Sequence, residues 1–129
     1  MSIQRTAAGP GLPGGFPFSL AAGTGDVCFI SGMPALDAAG TFVAGTFQAE
    51  ADLAWDRVKD ISRAAGFAPE EIVYVQCVLG DIGDYAALNA WWRREFPDVA
   101  TAPARFTFQA GALPFGAKVE FQAVAAHGR

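Results

Sequence analysis

Arg105 and Glu120 are the two residues of this sequence best suited to chemistry. A guanidinium holds a carboxylate through paired charge-assisted hydrogen bonds, and a carboxylate beside it can position water or carry a proton. Each lies in a run of period-two alternation. Ala104 to Gln109 sets Phe106 and Phe108 on one face and Arg105, Thr107 and Gln109 on the other. Lys118 to Val124 sets Val119, Phe121 and Ala123 against Lys118, Glu120 and Gln122. Between them, Gly111-Ala112-Leu113-Pro114-Phe115-Gly116 reads as a turn, so two joined strands are expected. As a hairpin centred between Ala112 and Leu113 they would set Arg105 opposite Glu120, because neighbours in sequence usually pair. That pairing fits a surface salt bridge worth about 0–1 kcal/mol. It also fits an anion clamp beside a proton-handling carboxylate, and spacing alone does not choose.

Other chemistries lack their residues. The single histidine, His127, sits at the end of the chain and reads as an exposed tail residue, which removes histidine-rich metal sites and a Ser–His–Asp triad. There is no Gly-Lys-Ser/Thr phosphate loop and no Cys-x-x-Cys pair. Glu70-Glu71 follows Pro69 and reads as a turn or short helical piece, not a metal cluster. What remains is chemistry that needs one cation, one carboxylate, backbone amides and water.

The elements that must position these groups read as follows. Residues 1–15, rich in Gly, Pro and Ala, are expected to form a loop or arm, and Phe16 to Ala21 a short extended segment at an edge because of Pro17. Val27 to Ser31 is a buried strand ending at Gly32, where backbone amides can meet a ligand. Asp37 to Gly40 turns the chain into a return strand at Thr41 to Val43. Phe47, Ala51, Ala54, Trp55, Val58, Ile61 and Ala65 repeat at helical spacing, and Gly66 stops that helix. Ile72 to Leu79 is apolar enough for a central strand covered on both faces. Tyr85, Leu88, Trp92 and Phe96 define a second helical stripe. Trp91 falls off it, toward solvent or a subunit contact, and Asn89 reaches outward or toward a pocket. Ala126 to Arg129 reads as a frayed tail. The sum is one α+β domain spanning 1–129, with helices on one face of a mixed sheet.

Composition agrees with a compact protein that associates with itself. Hydrophobic residues make up 52% and charged residues 17% of 129, an apolar balance that suggests surface buried between copies. A net charge of −4 gives no field to attract phosphate backbones, so nucleic acid is not an expected partner. No run approaches the length of a membrane span, and no secretory signal is visible. Cys28 and Cys77, inside apolar runs, read as reduced core thiols, and the expected location is cytoplasmic.

With these residues laid out, the chain resembles the RidA (YjgF) family of reactive imine and enamine deaminases. The resemblance is carried by Pro17-Phe18-Ser19, Val27 to Gly32, Ala64-Ala65-Gly66, Asp84 to Asn89, Pro103-Ala104-Arg105, Leu113-Pro114 and Val119-Glu120-Phe121. It implies a chorismate-mutase-like fold, a mixed sheet with two helices on one face, assembled as a trimeric barrel with ligand sites between subunits. It also implies a final strand inside the sheet, with Arg105 and Glu120 meeting at a cleft rather than across a ladder. The implied activity is that of a 2-iminobutanoate/2-iminopropanoate-type deaminase, releasing a 2-keto acid and ammonia without metal or organic cofactor. In that scheme Arg105 binds the substrate carboxylate, Glu120 positions water, and Gly32 and Thr107 offer backbone amides, with Ser31, Phe18 and Asn89 also at the substrate.

The chain departs from the family pattern in places. Phe16-Pro17-Phe18-Ser19-Leu20 stands where many members have Gly-Pro-Tyr-Ser-Gln, so a hydroxyl and an amide are replaced by hydrocarbon. Thr107 stands where cysteine is frequent, and the stretch after Gly32 is one residue shorter. With Phe106 and Phe115, these changes suggest a more apolar cleft and a bulkier imine; Phe106 and Phe108 also fit a plain core role. Two other functions are compatible with the family: a non-catalytic trimer that binds small carboxylates or proteins, and a ribonuclease or translation inhibitor, which the acidic charge disfavours.

Overall fold

A computed structural model describes residues 2–128; Met1 of the N-terminal arm and Arg129 of the tail lie outside the described residues. Its strands are β1 (Gln4–Thr6), β2 (Ala21–Gly23), β3 (Val27–Met33), β4 (Ile72–Leu79), β5 (Ala104–Gln109) and β6 (Val119–Ala126), and its helices are α1 (Phe47–Ala64) and α2 (Tyr85–Glu95). The six strands form one mixed sheet in the order β1-β2-β3-β6-β4-β5. All neighbours are antiparallel except β4 and β5, which run parallel with α2 as their crossover. This is the α+β layout expected from the sequence.

The β5–β6 hairpin does not form. β6 lies between β3 and β4, and β5 docks on the far side of β4. A parallel pair needs a crossover, which the strand–helix–strand order of β4, α2 and β5 supplies. At the end of β5, Ala110 N–H donates to Leu79 O and Ile82 N–H to Gln109 Oε1, holding this strand to β4 rather than to β6.

The core lies between the helices and one sheet face, where Val75, Cys77 and Leu79 of β4 and Val119, Phe121, Ala123 and Ala125 of β6 are buried. An aromatic cluster fills its centre. The Trp55 ring meets Phe121, Phe96 and Trp91 edge-on at 5.5–6.1 Å, and Trp91 stacks on Phe121 at 5.0 Å. The other face is open, because no helix of the chain covers it. β4 is therefore not covered on both faces within the chain: Val73 and, on β5, Phe106 and Phe108 are exposed. The two phenylalanines are not core, and Arg105 and Thr107, which alternate with them, turn toward the helices instead.

Helix α1 begins and ends where its cap residues dictate. Thr46 Oγ1 accepts from Ala49 N–H at its start. At its end Gly66 takes φ +91°, and Phe67 N–H returns to Ser62 O, so the buried Phe67 locks the exit. On α2 the buried residues are Leu88 and Trp91, not the stripe through Trp92. Trp91 is 1% exposed because Asp52 Oδ1 accepts its indole N–H at 2.8 Å, the partner a buried indole needs.

Three further expectations are corrected. Gln4–Thr6 of the arm is an edge strand on β2. Thr41 to Val43 forms only one bridge, Leu36 to Phe42, beside an Asp37 turn in which Oδ1 accepts from Ala39 and Thr41. The tail through Gly128 is tied down at His127, whose N–H donates to Asp26 O and whose ring stacks on Phe67 at 4.1 Å. Its Nδ1 lies 2.6 Å from Glu71 Oε2, and this contact holds the Glu71 carboxyl below the usual range.

One buried carboxylate joins the core to the start of β6. Glu50, 1% exposed, accepts from Lys118 N–H at 2.9 Å and Lys118 Nζ at 3.1 Å. Lys118 Nζ also donates to Gly45 O. Replacing Glu50 by Ala strands a backbone donor and loosens the strand two residues before Glu120. Urea unfolding should show a loss of about 3 kcal/mol. Glu50→Gln, which keeps an acceptor for Lys118 N–H, should lose about 1 kcal/mol.

Candidate active site

The sheet register decides which face each site residue occupies. Val75 pairs with Arg105 and Cys77 with Thr107, and directly paired residues share a face. Since Val75 and Cys77 are buried under the helices, Arg105 and Thr107 point to the helix side. Val78 pairs with Glu120, one step off that alternation, so Glu120 points to the open side. β4 runs between them. Within one chain the arginine and the glutamate therefore face opposite sides of the sheet, as two separate candidate half-sites.

The first half-site is built on β5 and α2. Arg105 Nη2 donates to Asn89 Oδ1 at 2.7 Å and, more loosely, to Tyr85 Oη at 3.4 Å. Its guanidinium carbon lies 5.1 Å from the Trp92 ring centre and 5.6 Å from that of Tyr85. Both distances are within cation–π range. Nε and Nη1 make no hydrogen bond to the described residues. The Thr107 hydroxyl is buried without a hydrogen bond of good geometry, its contact with the Cys77 thiol being a weak one. Burial pushes that thiol up to about 12, with the Arg105 charge and Thr107 pulling the other way, so Cys77 is an inert core thiol. Cys28 is likewise free and buried, its pKa raised by desolvation.

The second half-site joins β6 to the bulge in β3. The β3–β6 register slips between Ile30 and Met33, which puts Ser31 and Gly32 in the irregular stretch. A Cβ on Gly32 would stand 4.0 Å from Glu120 Oε2, which places the bulge beside the carboxylate. Glu120 is half-buried, and desolvation raises its pKa above the ordinary glutamate value. Ser31 has both its donors engaged by the segment leading into β2, N–H to Leu20 O and Oγ to Ser19 O, each at 2.8 Å. Its side chain thus braces the bulge.

Phe18 is exposed and stacks on Phe16 at 5.2 Å. Leu20 is buried in the core and lines no cleft. Phe115, 60% exposed, takes φ +65° and stacks on Phe42 at 5.4 Å. Among the described residues, no three His, Cys, Asp or Glu side chains converge on a point where a metal ion would sit.

Thr107 and Asn89 thus join Arg105, and Gly32 joins Glu120. Tyr85 and Trp92 escaped the sequence reading, which gave both to the core stripe. Their spacing with Asn89, at i, i+4 and i+7, was the available signal for a second face on α2.

A six-stranded mixed sheet with two helices on one face, a bulge beside a half-buried glutamate and a braced arginine on the edge strand define a recognisable α+β class. The family model described as Endoribonuclease L-PSP matches residues 14–127. The chain belongs to this family, the RidA (YjgF) family. It is 35% identical over 127 residues to a goat (Capra hircus) protein named 2-iminobutanoate/2-iminopropanoate deaminase, covering 98% of this chain and 90% of that one. It is 36% identical over 115 residues to the fission-yeast (Schizosaccharomyces pombe) Protein mmf2, mitochondrial, covering 87% and 89%. The crystal structure of the E. coli YjgF gene product superposes with a TM-score of 0.85 at 28% identity, over 97% of this chain and 100% of that one. Family and relatives support an imine or enamine deaminase in general terms. Among the described residues, no helix is long and apolar enough to cross a membrane.

Proposed function

We propose that this protein hydrolyses reactive 2-imino and enamine acids to 2-keto acids and ammonia, Arg105 receiving the carboxylate and Glu120 positioning the water. The observation that carries this reading is Arg105 itself, held on the edge strand by Asn89 with Nε and Nη1 left for a ligand. A planar guanidinium suits a carboxylate in a way an ammonium does not. The water oxygen forms the new C–O bond at the imine carbon as the C=N π pair moves to nitrogen, and the water proton passes through the Glu120 carboxylate to that nitrogen. The carbinolamine hydroxyl then gives its proton, through the same carboxylate, to the amine; the C–N bond breaks as C=O forms, and ammonia leaves. Raising the Glu120 pKa strengthens the carboxylate as a base.

Because Arg105 and Glu120 occupy opposite faces, the complete site needs the two half-sites of different copies, and we place it between subunits of a homotrimer. The open sheet face supports this: Phe29, Phe106 and Phe108 stand exposed on it, the kind of apolar surface that copies of a chain bury. The stacked pairs Phe16–Phe18 and Phe42–Phe115 favour a bulkier, more apolar imine than those of the smallest amino acids. Such an enzyme clears reactive intermediates of amino-acid metabolism, and a reducing compartment such as the cytoplasm suits its two free thiols. Ribonuclease activity, named in the family description, finds no support in a chain of net charge −4.

The test is a coupled assay. An amino-acid oxidase generates imines from small, branched and aromatic amino acids, and semicarbazide traps what survives. The protein should lower the trapped imine, with branched or aromatic imines ahead of the smallest. No decrease for any imine would reject the deaminase, and a preference for small polar imines would reject the apolar cleft.

A further inference from the structure

We infer that Asn89, with Tyr85 and Trp92, is a positioning device for Arg105, setting its guanidinium before any ligand arrives. The inference deepens the proposed function and rests on it for the identity of the ligand. An arginine side chain is long and loses much rotamer freedom when fixed. If the substrate had to fix it, that cost would come out of binding. Here the helix does the fixing. Asn89 Oδ1, at 2.7 Å, removes one donor position from free rotation, and Tyr85 Oη accepts from the same nitrogen at 3.4 Å. The Trp92 and Tyr85 rings flank the guanidinium at 5.1 and 5.6 Å. The three residues stand at i, i+4 and i+7 of α2, a stripe distinct from Leu88 and Trp91, which serve the core.

The chemistry of the acceptor matters as much as its place. Asn89 is neutral, so it orients Arg105 without cancelling its charge. A carboxylate in its place would hold the guanidinium at least as firmly but would compete with the substrate for it. A purely structural asparagine would tolerate that isosteric change. This separates the two roles.

The experiment compares wild type with Asn89→Ala, Asn89→Asp and Trp92→Phe in two readouts. The first is the nitrogen NMR signal of the Arg105 guanidinium in the free protein, which reports rotation about its Cζ–N bonds. Rotation should be slowed in wild type, Trp92→Phe and Asn89→Asp, and fast in Asn89→Ala. The second is steady-state imine hydrolysis. Asn89→Ala and Asn89→Asp should each raise KM about 10-fold or more with kcat within about 3-fold, while Trp92→Phe, which leaves a smaller ring beside the guanidinium, should raise KM by about 2- to 5-fold. Fast rotation in wild type, or an Asn89→Ala variant whose Arg105 rotates as slowly as wild type, would overturn the inference. So would an Asn89→Asp variant with an unchanged KM. Should wild type hydrolyse no imine while Arg105 rotation still depends on Asn89, the deaminase reading fails and the positioning device stands.

Discussion

Arg105→Ala should lower kcat/KM for imine hydrolysis by about 30- to 5,000-fold, the range expected when one partner of a desolvated charge pair is truncated at a cost of about 2–5 kcal/mol. The loss should fall mainly in KM, since under the proposed reading the partner carboxylate is present in ground and transition states alike. Arg105→Lys keeps the charge but loses the two-pronged geometry and the flat face that lies near Trp92, so it should recover only part of the activity. The fold should be untouched, because Arg105 sits on an edge strand outside the buried core. The semicarbazide assay with purified variants measures this directly. An Ala variant with wild-type kcat/KM would remove Arg105 from the site.

Glu120→Gln should lower kcat about 10²- to 10⁴-fold while leaving KM nearly unchanged, since the amide fills the same space but cannot take a proton. As the proposed base, the wild-type carboxylate must be ionised to act. Desolvation raises its pKa, so activity should fall away on the acid side at a pH above the ordinary glutamate value of about 4.3. The sign for stability is opposite to that of a salt-bridged acid. The folded state holds the Glu120 proton more tightly than the unfolded chain does, so this group opposes folding at neutral pH. Its penalty is relieved as pH falls through the raised folded-state value. Glu120→Gln should therefore be at least as stable as wild type at pH 7. Profiles of kcat and of urea midpoints against pH check both signs, and an acid limb unchanged in Glu120→Gln would assign the limb to another group.

Local signals in the sequence were read well where a single residue controls the geometry. Gly66 stops α1 as C-terminal capping chemistry requires, and the Asp37 to Gly40 turn forms where its residues predict it. What the sequence hid depends on which neighbour a strand chooses. Period-two alternation separated Arg105 and Thr107 from Phe106 and Phe108, but alternation does not say which face meets the helices. By pattern alone the apolar pair fits a plain core role, and Phe106 fits an apolar cleft as well. In fact the edge position of β5 lets α2 reach over Arg105, and the phenylalanines face the open side. Trp91 and Trp92 show the same limit: adjacent indoles look alike in sequence, and Asp52, far away in the chain, accepts the N–H of the one that is buried. Leu20 looked like a cleft residue because of what it replaces, whereas its backbone carbonyl accepts from Ser31 and its side chain enters the core. The faces of Arg105 and Glu120 followed from register, and register required the observed strand order.

That order also governs how the protein can be made. β6 comes last in the chain yet completes the centre of the sheet, pairing with β3 on one side and β4 on the other. During synthesis, the β1–β3 hairpin system and the β4–α2–β5 unit can each begin to form, but they remain two fragments with bare strand edges until β6 has emerged. Closing them requires pairings between segments far apart in sequence, which is slow. Meanwhile, exposed edges and the unfilled apolar face invite association with other nascent chains. The C-terminal strand that carries Glu120 is thus also the keystone of folding, and truncation within it would yield an aggregating chain before any question of catalysis arose.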